Sequence, residues 1–160
     1  MLLVQQPLAQ PDPTLPQIAV RVDRLKLAKR LWRATGEDGV EFGCELERPL
    51  QPGDTLHQTA TARYVVLQEP ERVLEISLEN LPPSAAAGVG WAIGNLHLEL
   101  MSEPERLLAL NENAVRRLLD RIGVSYRETT EVFRPGRFAR SNDKASNHAT
   151  AHEFGASHKH

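Results

Sequence analysis

Four of the six histidines in this chain, His148, His152, His158 and His160, fall within its last thirteen residues. Their neighbours are Ser, Asn, Ala, Thr, Lys and Gly, which offer little to bury, so core packing does not account for the cluster. Neutral imidazole is a strong ligand for borderline metals such as Ni, Cu and Zn, and metal handling is the first chemistry these residues suggest. His148 and His152 could chelate from one turn of helix formed on binding. His158 and His160 could chelate through adjacent side chains and the terminal carboxylate. Neither pair matches the H-E-x-x-H or C₂H₂ signature of a catalytic or structural zinc site. A His-rich tract is a compositional signal, and a drifted, functionless end is the plainer reading of the same residues.

His97 is the sharpest single position. It follows a helix-terminating stretch, Trp91-Ala92-Ile93-Gly94-Asn95-Leu96-His97. A lone histidine at such a junction is more often structural than a ligand. In a two-fold dimer, however, a residue near the axis meets its own copy, and one position then offers two ring nitrogens. His57, after Asp54 on an expected strand, reads as a surface or half-buried residue.

These ligands need a scaffold. A chain of 160 residues allows one ordinary domain or two small ones, and 41% hydrophobic residues suffice for folded cores. A net charge of −2 argues against a general nucleic-acid binder. The single cysteine, Cys44, excludes an intrachain disulfide and Cys-based zinc motifs, and its place on an inward strand face suggests an inert thiol. The start, MLLVQQPLAQPDP, lacks a basic n-region and carries only a short apolar run. Neither a signal peptide nor a membrane anchor is expected, and the cytoplasm is the expected location.

Residues 1–16, with Pro7, Pro11, Pro13 and Pro16, read as an irregular lead-in. From Ile18 to about Leu78 the signals are those of strands. Val40, Phe42, Cys44 and Leu46 alternate with polar or small residues behind the turn Gly36–Gly39, so residues 31–47 are expected to form a hairpin. After Pro82-Pro83 the pattern changes. Ser84 is the expected cap of a helix over Ala85–Ile93, with Gly94-Asn95 ending it in a left-handed conformation. A strand near 97–101 follows, then one at Arg106–Leu110. Asn111 or Asn113 is the expected cap of a helix whose Val115, Leu118, Leu119 and Ile122 form one apolar stripe closed by Gly123. The last strand spans Val124–Phe133. Counting Arg72–Leu78 as the first strand gives β-α-β-β-α-β, the ferredoxin-like order. The expected class is α+β, with a small all-β domain at 1–78, a ferredoxin-like domain at 79–136 and a flexible His-bearing tail at 137–160.

The run Arg24, Lys26, Lys29, Arg30, Arg33 puts five cations in ten residues. It reads as a solvated face, as a docking surface for an acidic partner, or as a set neutralised by Asp38, Glu41, Glu45 and Glu47 of the hairpin. Catalysis is not expected. There is no nucleophile elbow, and Gly88-Val89-Gly90 lies inside an expected helix without the context of a phosphate loop.

The order and spacing of several segments resemble the UreE-type urease accessory proteins. These segments are Lys29-Arg30 with Arg33, Glu37-Asp38-Gly39-Val40-Glu41-Phe42-Gly43, and Leu50-Gln51-Pro52-Gly53-Asp54-Thr55-Leu56. Gly94-Asn95-Leu96-His97 resembles that family's Gly-Asn-Arg-His motif, and Phe133-Arg134-Pro135 with the His-bearing tail completes the set. The resemblance implies a non-enzymatic nickel metallochaperone that delivers Ni2+ to the urease activation complex. It implies a homodimer through the second domain, with His97 as the metal histidine of both subunits and the tail histidines as further ligands. Zn2+ or Cu2+ would be able to bind the same site in vitro. The implied partners are urease and other urease accessory proteins including the GTPase, with the all-β domain at 1–78 as the partner-interaction module, and with no nucleic acid and no membrane. Leu96 stands where the family carries Arg, and Leu107–Asn113 lacks the extra histidines of some relatives. The alternative is a metal-independent interaction adaptor with incidental histidines. A metal-dependent hydrolase at His97 would need acid–base partners, for which Glu99 and Glu103 are the nearby candidates.

Overall fold

The structure is a computed structural model that describes residues 1–136; the histidines at 148, 152, 158 and 160 lie outside the described residues. It is mixed α+β, mostly strands with three helices. The strands are β1 (Leu2–Val4), β2 (Gln17–Val22), β3 (Leu31–Thr35), β4 (Glu41–Glu45), β5 (Thr55–Gln58), β6 (Arg63–Gln68), β7 (Glu71–Ser77), β8 (Leu100–Ser102), β9 (Arg106–Leu110) and β10 (Arg127–Glu131). The helices are α1 (Arg24–Leu27), α2 (Pro83–Gly94) and α3 (Asn113–Ile122). None of the described helices is long and apolar enough to cross a membrane.

The first half holds two three-stranded sheets, ordered β1-β4-β3 and β2-β6-β5. The period-two pattern of β4 turns Phe42 and Cys44 into a shared core with Val20, Val22, Trp32, Leu56, Tyr64 and Val66. The expected hairpin forms, with Trp32 opposite Cys44 and Ala34 opposite Phe42. Burial pushes the Cys44 thiol up to about 11, so the inert-thiol reading holds. The lead-in is not wholly irregular. Leu2–Val4 pairs in parallel with Phe42–Cys44, and Val4 enters the core. Three residues carry too little periodicity to announce such a strand.

The second half is one antiparallel sheet in the order β10-β7-β9-β8. Strand β7 is hydrogen-bonded on both sides to members of this sheet, so a division of the chain after Leu78 would part it from both neighbours. Alternation along β7 and β9 sends Leu74, Ile76, Leu107 and Ala109 to one face. There they pack against Val89 and Ile93 of α2 and Val115, Leu118 and Leu119 of α3. Val73 and Leu108 point to the other face and pack on Phe133. Gly123 takes φ 70 and closes α3, as its glycine permits.

The expected N-terminal caps do not form. Pro82 caps α2, its carbonyl accepting from Ala86 N at 3.0 Å, and Pro83 stands at a first-turn position where a missing N–H costs nothing. Glu112 precedes α3, because the Asn111 side chain is drawn to Arg116 (2.8 Å) and Glu128 (3.0 Å).

On the face away from the helices, Glu75 accepts from Arg106 (2.9 Å) and from Arg127. Burial alone would raise its carboxyl, but these two guanidiniums hold it below the usual value of 4.5. A depressed folded-state pKa stabilises the fold above the unfolded value and loses that contribution as pH falls through the folded one. Thermal melting followed from neutral pH to below 4.5 is therefore expected to show a decline that is shallower in Glu75→Gln. Parallel curves for the two proteins would exclude this role.

Candidate functional site

Helix α2 positions His97. Its sequence is small and apolar, and Val89 and Ile93 anchor it on the sheet. Ala87, Gly88, Trp91 and Gly94 remain exposed, with Trp91 at 72%. The helix unwinds through two tight turns, Leu96 N to Ile93 O (3.0 Å) and His97 N to Gly94 O (2.9 Å).

His97 itself takes the left-handed conformation, φ 55, alone among the described non-glycine residues. Gly94 and Asn95, where the sequence suggested that conformation, stay right-handed. The strand expected from His97 begins only at Leu100. A left-handed residue costs roughly 1–2 kcal/mol without glycine's freedom. Local packing meets that cost. Ile93, fully buried, holds the turn on one side, and Leu98 packs on the helix-face core on the other. The imidazole is left exposed.

The residues after His97 are tied down. Glu99 accepts from Arg24 at 2.5 Å, and Arg24 also donates to Glu71 at 2.8 Å. The guanidinium lies 5.3 Å from the centroid of the Phe133 ring. The buried Gln68 donates to the Phe133 carbonyl at 2.6 Å. Leu100 O accepts from Gly136 N at 3.1 Å, so the last described residue sits against the strand that follows His97. Ala87, Gly90, Trp91, Glu99, Leu100, Pro135 and Gly136 line a hollow of about 500 Å³ beside this junction.

Among the described residues no three His, Cys, Asp or Glu side chains converge on a metal position. Within that part of the chain, His97 therefore has no companion set of ligands. His57 lies in the first half on β5, half-buried and 6.1 Å from Tyr64 by ring centroids. The hairpin acids do not neutralise the basic run. Asp38 accepts from the Tyr64 hydroxyl at 2.7 Å, and Arg24 turns to the second half. Lys26, Lys29, Arg30 and Arg33 make no ion pair among the described residues. Sequence reasoning missed the Arg24–Glu99 tie and the Gly136–Leu100 bond. Both join residues far apart in the chain, and no local pattern marks them.

Residues 71–160 match the family described as UreE urease accessory protein, C-terminal domain, and the match begins at the first residue of β7. The chain is 30% identical over 105 residues to the urease accessory protein UreE of Rhizobium rhizogenes strain K84, covering 64% of this chain and 62% of that one. It is 28% identical over 131 residues to that of Mesorhizobium japonicum, covering 81% and 65%. It is 29% identical over 108 residues to that of Lysinibacillus sphaericus strain C3-41, covering 66% and 71%. The chain spans less than two thirds of the length of the first two relatives. These are accessory proteins by name, not enzymes. With its family match running from β7 onward over more than half its length, this chain belongs to the UreE urease accessory protein family.

Proposed function

We propose that the protein is a nickel-binding metallochaperone that delivers Ni2+ to the urease activation complex. In this reading, His97 from each of two chains and histidines of the tail hold the ion. The observation that carries it is the presentation of His97. It stands on an exposed left-handed turn, held between buried Ile93 and half-buried Leu98 and without companion ligands in the described part of its own chain. A strained, outward-facing residue of this kind is the sort of outlier from which a functional role is inferred. A second copy, docked through the small-residue face of α2 and Trp91, would bring a second imidazole.

The tail is rooted suitably. Gly136 bonds to Leu100, three residues past His97, and His148 follows twelve residues later. Twelve residues reach up to roughly 40 Å when extended. His148 and His152 are thus within range of His97, with His158 and His160 farther along. Ligands that lose conformational entropy on binding hold metal less tightly, which suits transfer. Imidazole must be neutral to ligate, so binding weakens at acid pH. Cu2+ and Zn2+ would compete for the same site in vitro.

The organisation that fits this role is a small β-domain ending near Pro70, a ferredoxin-like metal-binding and dimerising domain from β7 to Gly136, and a His-bearing tail over 137–160. Urease and the other urease accessory proteins, including the GTPase, would be the partners, in the cytoplasm.

Nickel titration of the full chain by calorimetry, with sedimentation in parallel, tests the proposal. One tight ion per two chains is expected. A chain lacking residues 144–160 is expected to lose weaker sites and remain dimeric. Monomers at all nickel levels, or no tight site, would favour the metal-independent adaptor, for which Lys26, Lys29, Arg30 and Arg33, without ion pairs among the described residues, speak.

A further inference from the structure

We infer that Arg24 is a positioning residue for His97. Through its ion pair with Glu99 it holds the left-handed turn on which the imidazole stands, an inference that rests on the proposed metal role of His97. Arg24 belongs to the first half of the chain, 75 positions before Glu99. Its guanidinium nevertheless reaches Glu99 at 2.5 Å and Glu71 at 2.8 Å, and only 17% of its side chain is exposed.

The arginine is a fixed post. Asp23 caps α1, its carboxylate accepting from Lys26 N at 2.7 Å, and Leu27 sinks into the first core. Together they hold the backbone of this four-residue helix. The side chain is gripped from the second half. Glu71, at the start of β7, accepts from Nε, and the Phe133 ring centroid lies 5.3 Å from Cζ.

Glu99 carries that rigidity to the turn. It sits two residues after His97, in the stretch Leu98–Glu99 that belongs to neither α2 nor β8. Side chains hold the backbone there: Leu98 packs on the helix-face core and Glu99 is tied to Arg24. A residue other than glycine persists in the left-handed region where its surroundings over-determine it. His97, at φ 55, has buried Ile93 before it and these two ties after it. Without the Glu99 tie the turn can relax, and metal binding must then order the turn as well as the ion, which weakens it. The two arms of Arg24 thus have different work. Glu71 fastens the arginine to the sheet, and Glu99 fastens the His97 turn to the arginine. A merely structural bridge between the halves would use either arm alike.

Amide hydrogen exchange of the full, metal-free ¹⁵N-labelled chain tests this, with nickel chloride titrated into the same proteins by calorimetry. The reporter is the His97 amide, which donates to the Gly94 carbonyl at 2.9 Å. Arg24→Gln and Glu99→Gln are each expected to speed its exchange on the order of tenfold, the effect of losing one charge-assisted hydrogen bond. Both should weaken nickel binding about tenfold, as loss of a ligand-orienting partner does. The double variant should be no worse than either single one. Glu71→Gln should leave the His97 amide and nickel affinity near the parent. The amides of Ala86 and Val124, bonded to Pro82 and Leu119, should stay protected in all four. Glu99 is half exposed, so Glu99→Gln keeps the fold if Arg24→Gln does not. Parent-like exchange at His97 in Glu99→Gln, an equal effect of Glu71→Gln, or a uniform loss of protection at all amides would overturn the inference. So would faster exchange at His97 with nickel affinity unchanged. Failure of the metal reading is told apart by the parent itself, which would then show no tight nickel site, and the positioning role would fall with it.

Discussion

Replacing His97 by alanine is expected to abolish the proposed tight nickel site while leaving the fold intact. The imidazole is exposed and makes no hydrogen bond or ion pair among the described residues, so its removal leaves no buried partner unsatisfied. In a two-fold site one substitution removes two ligands. The loss should exceed the ~10–100-fold by which even an outer-shell partner changes metal affinity. His97→Gly separates ligand from backbone. Glycine relieves the left-handed strain at φ 55 but frees the unfolded chain, and the two effects nearly cancel. Its melting should stay within about 1 kcal/mol of the parent, with the tight nickel site gone. Calorimetry showing unchanged affinity and stoichiometry in either variant would remove His97 from the site.

The largest stability effect is expected at Phe133, where truncation to alanine should cost about 3–5 kcal/mol in urea unfolding. The ring is fully buried against Val73 and Leu108 on the face of the sheet away from the helices. Arg24 of the first half lies over it, and its carbonyl accepts from the buried Gln68. One residue therefore closes the second sheet and receives two side chains from the first half. Phe133→Leu keeps most of the apolar volume and loses the ring face, so an intermediate cost is expected. A Phe133→Ala protein within about 1 kcal/mol of the parent would show that the surroundings collapse onto the space, contrary to this account.

Much of the scaffold was legible in the residues. Alternation at Val40–Leu46 announces a half-buried strand, and the stripe Val115, Leu118, Leu119, Ile122 announces α3, although Ile122 stays exposed at its end. In both, the pattern is written over near neighbours at the period of the element itself. The same holds for Arg106–Leu110 and for the glycine that closes α3. The candidate site was legible only as a residue type in a motif. His97 stood out because a helix-terminating run precedes it, but that run suggested Gly94-Asn95 for the left-handed turn. The structure puts the turn three residues past Gly94, where buried Ile93 and half-buried Leu98 hold it on either side.

The sequence by itself determined the class of the longer elements, most of the apolar faces they bury and the family to which the motif order points, and it missed the short β1 and α1. Each of these is encoded in spacing along the chain, within reach of short-range sterics and hydrophobic periodicity. Only the tertiary structure decided that Leu2–Val4 joins β4, that Arg24 leaves its basic neighbours for Glu99, and that Gly136 is bonded beside the His97 turn. Those outcomes depend on which distant residues are brought within hydrogen-bonding distance once the cores close. No local pattern in the chain records that choice.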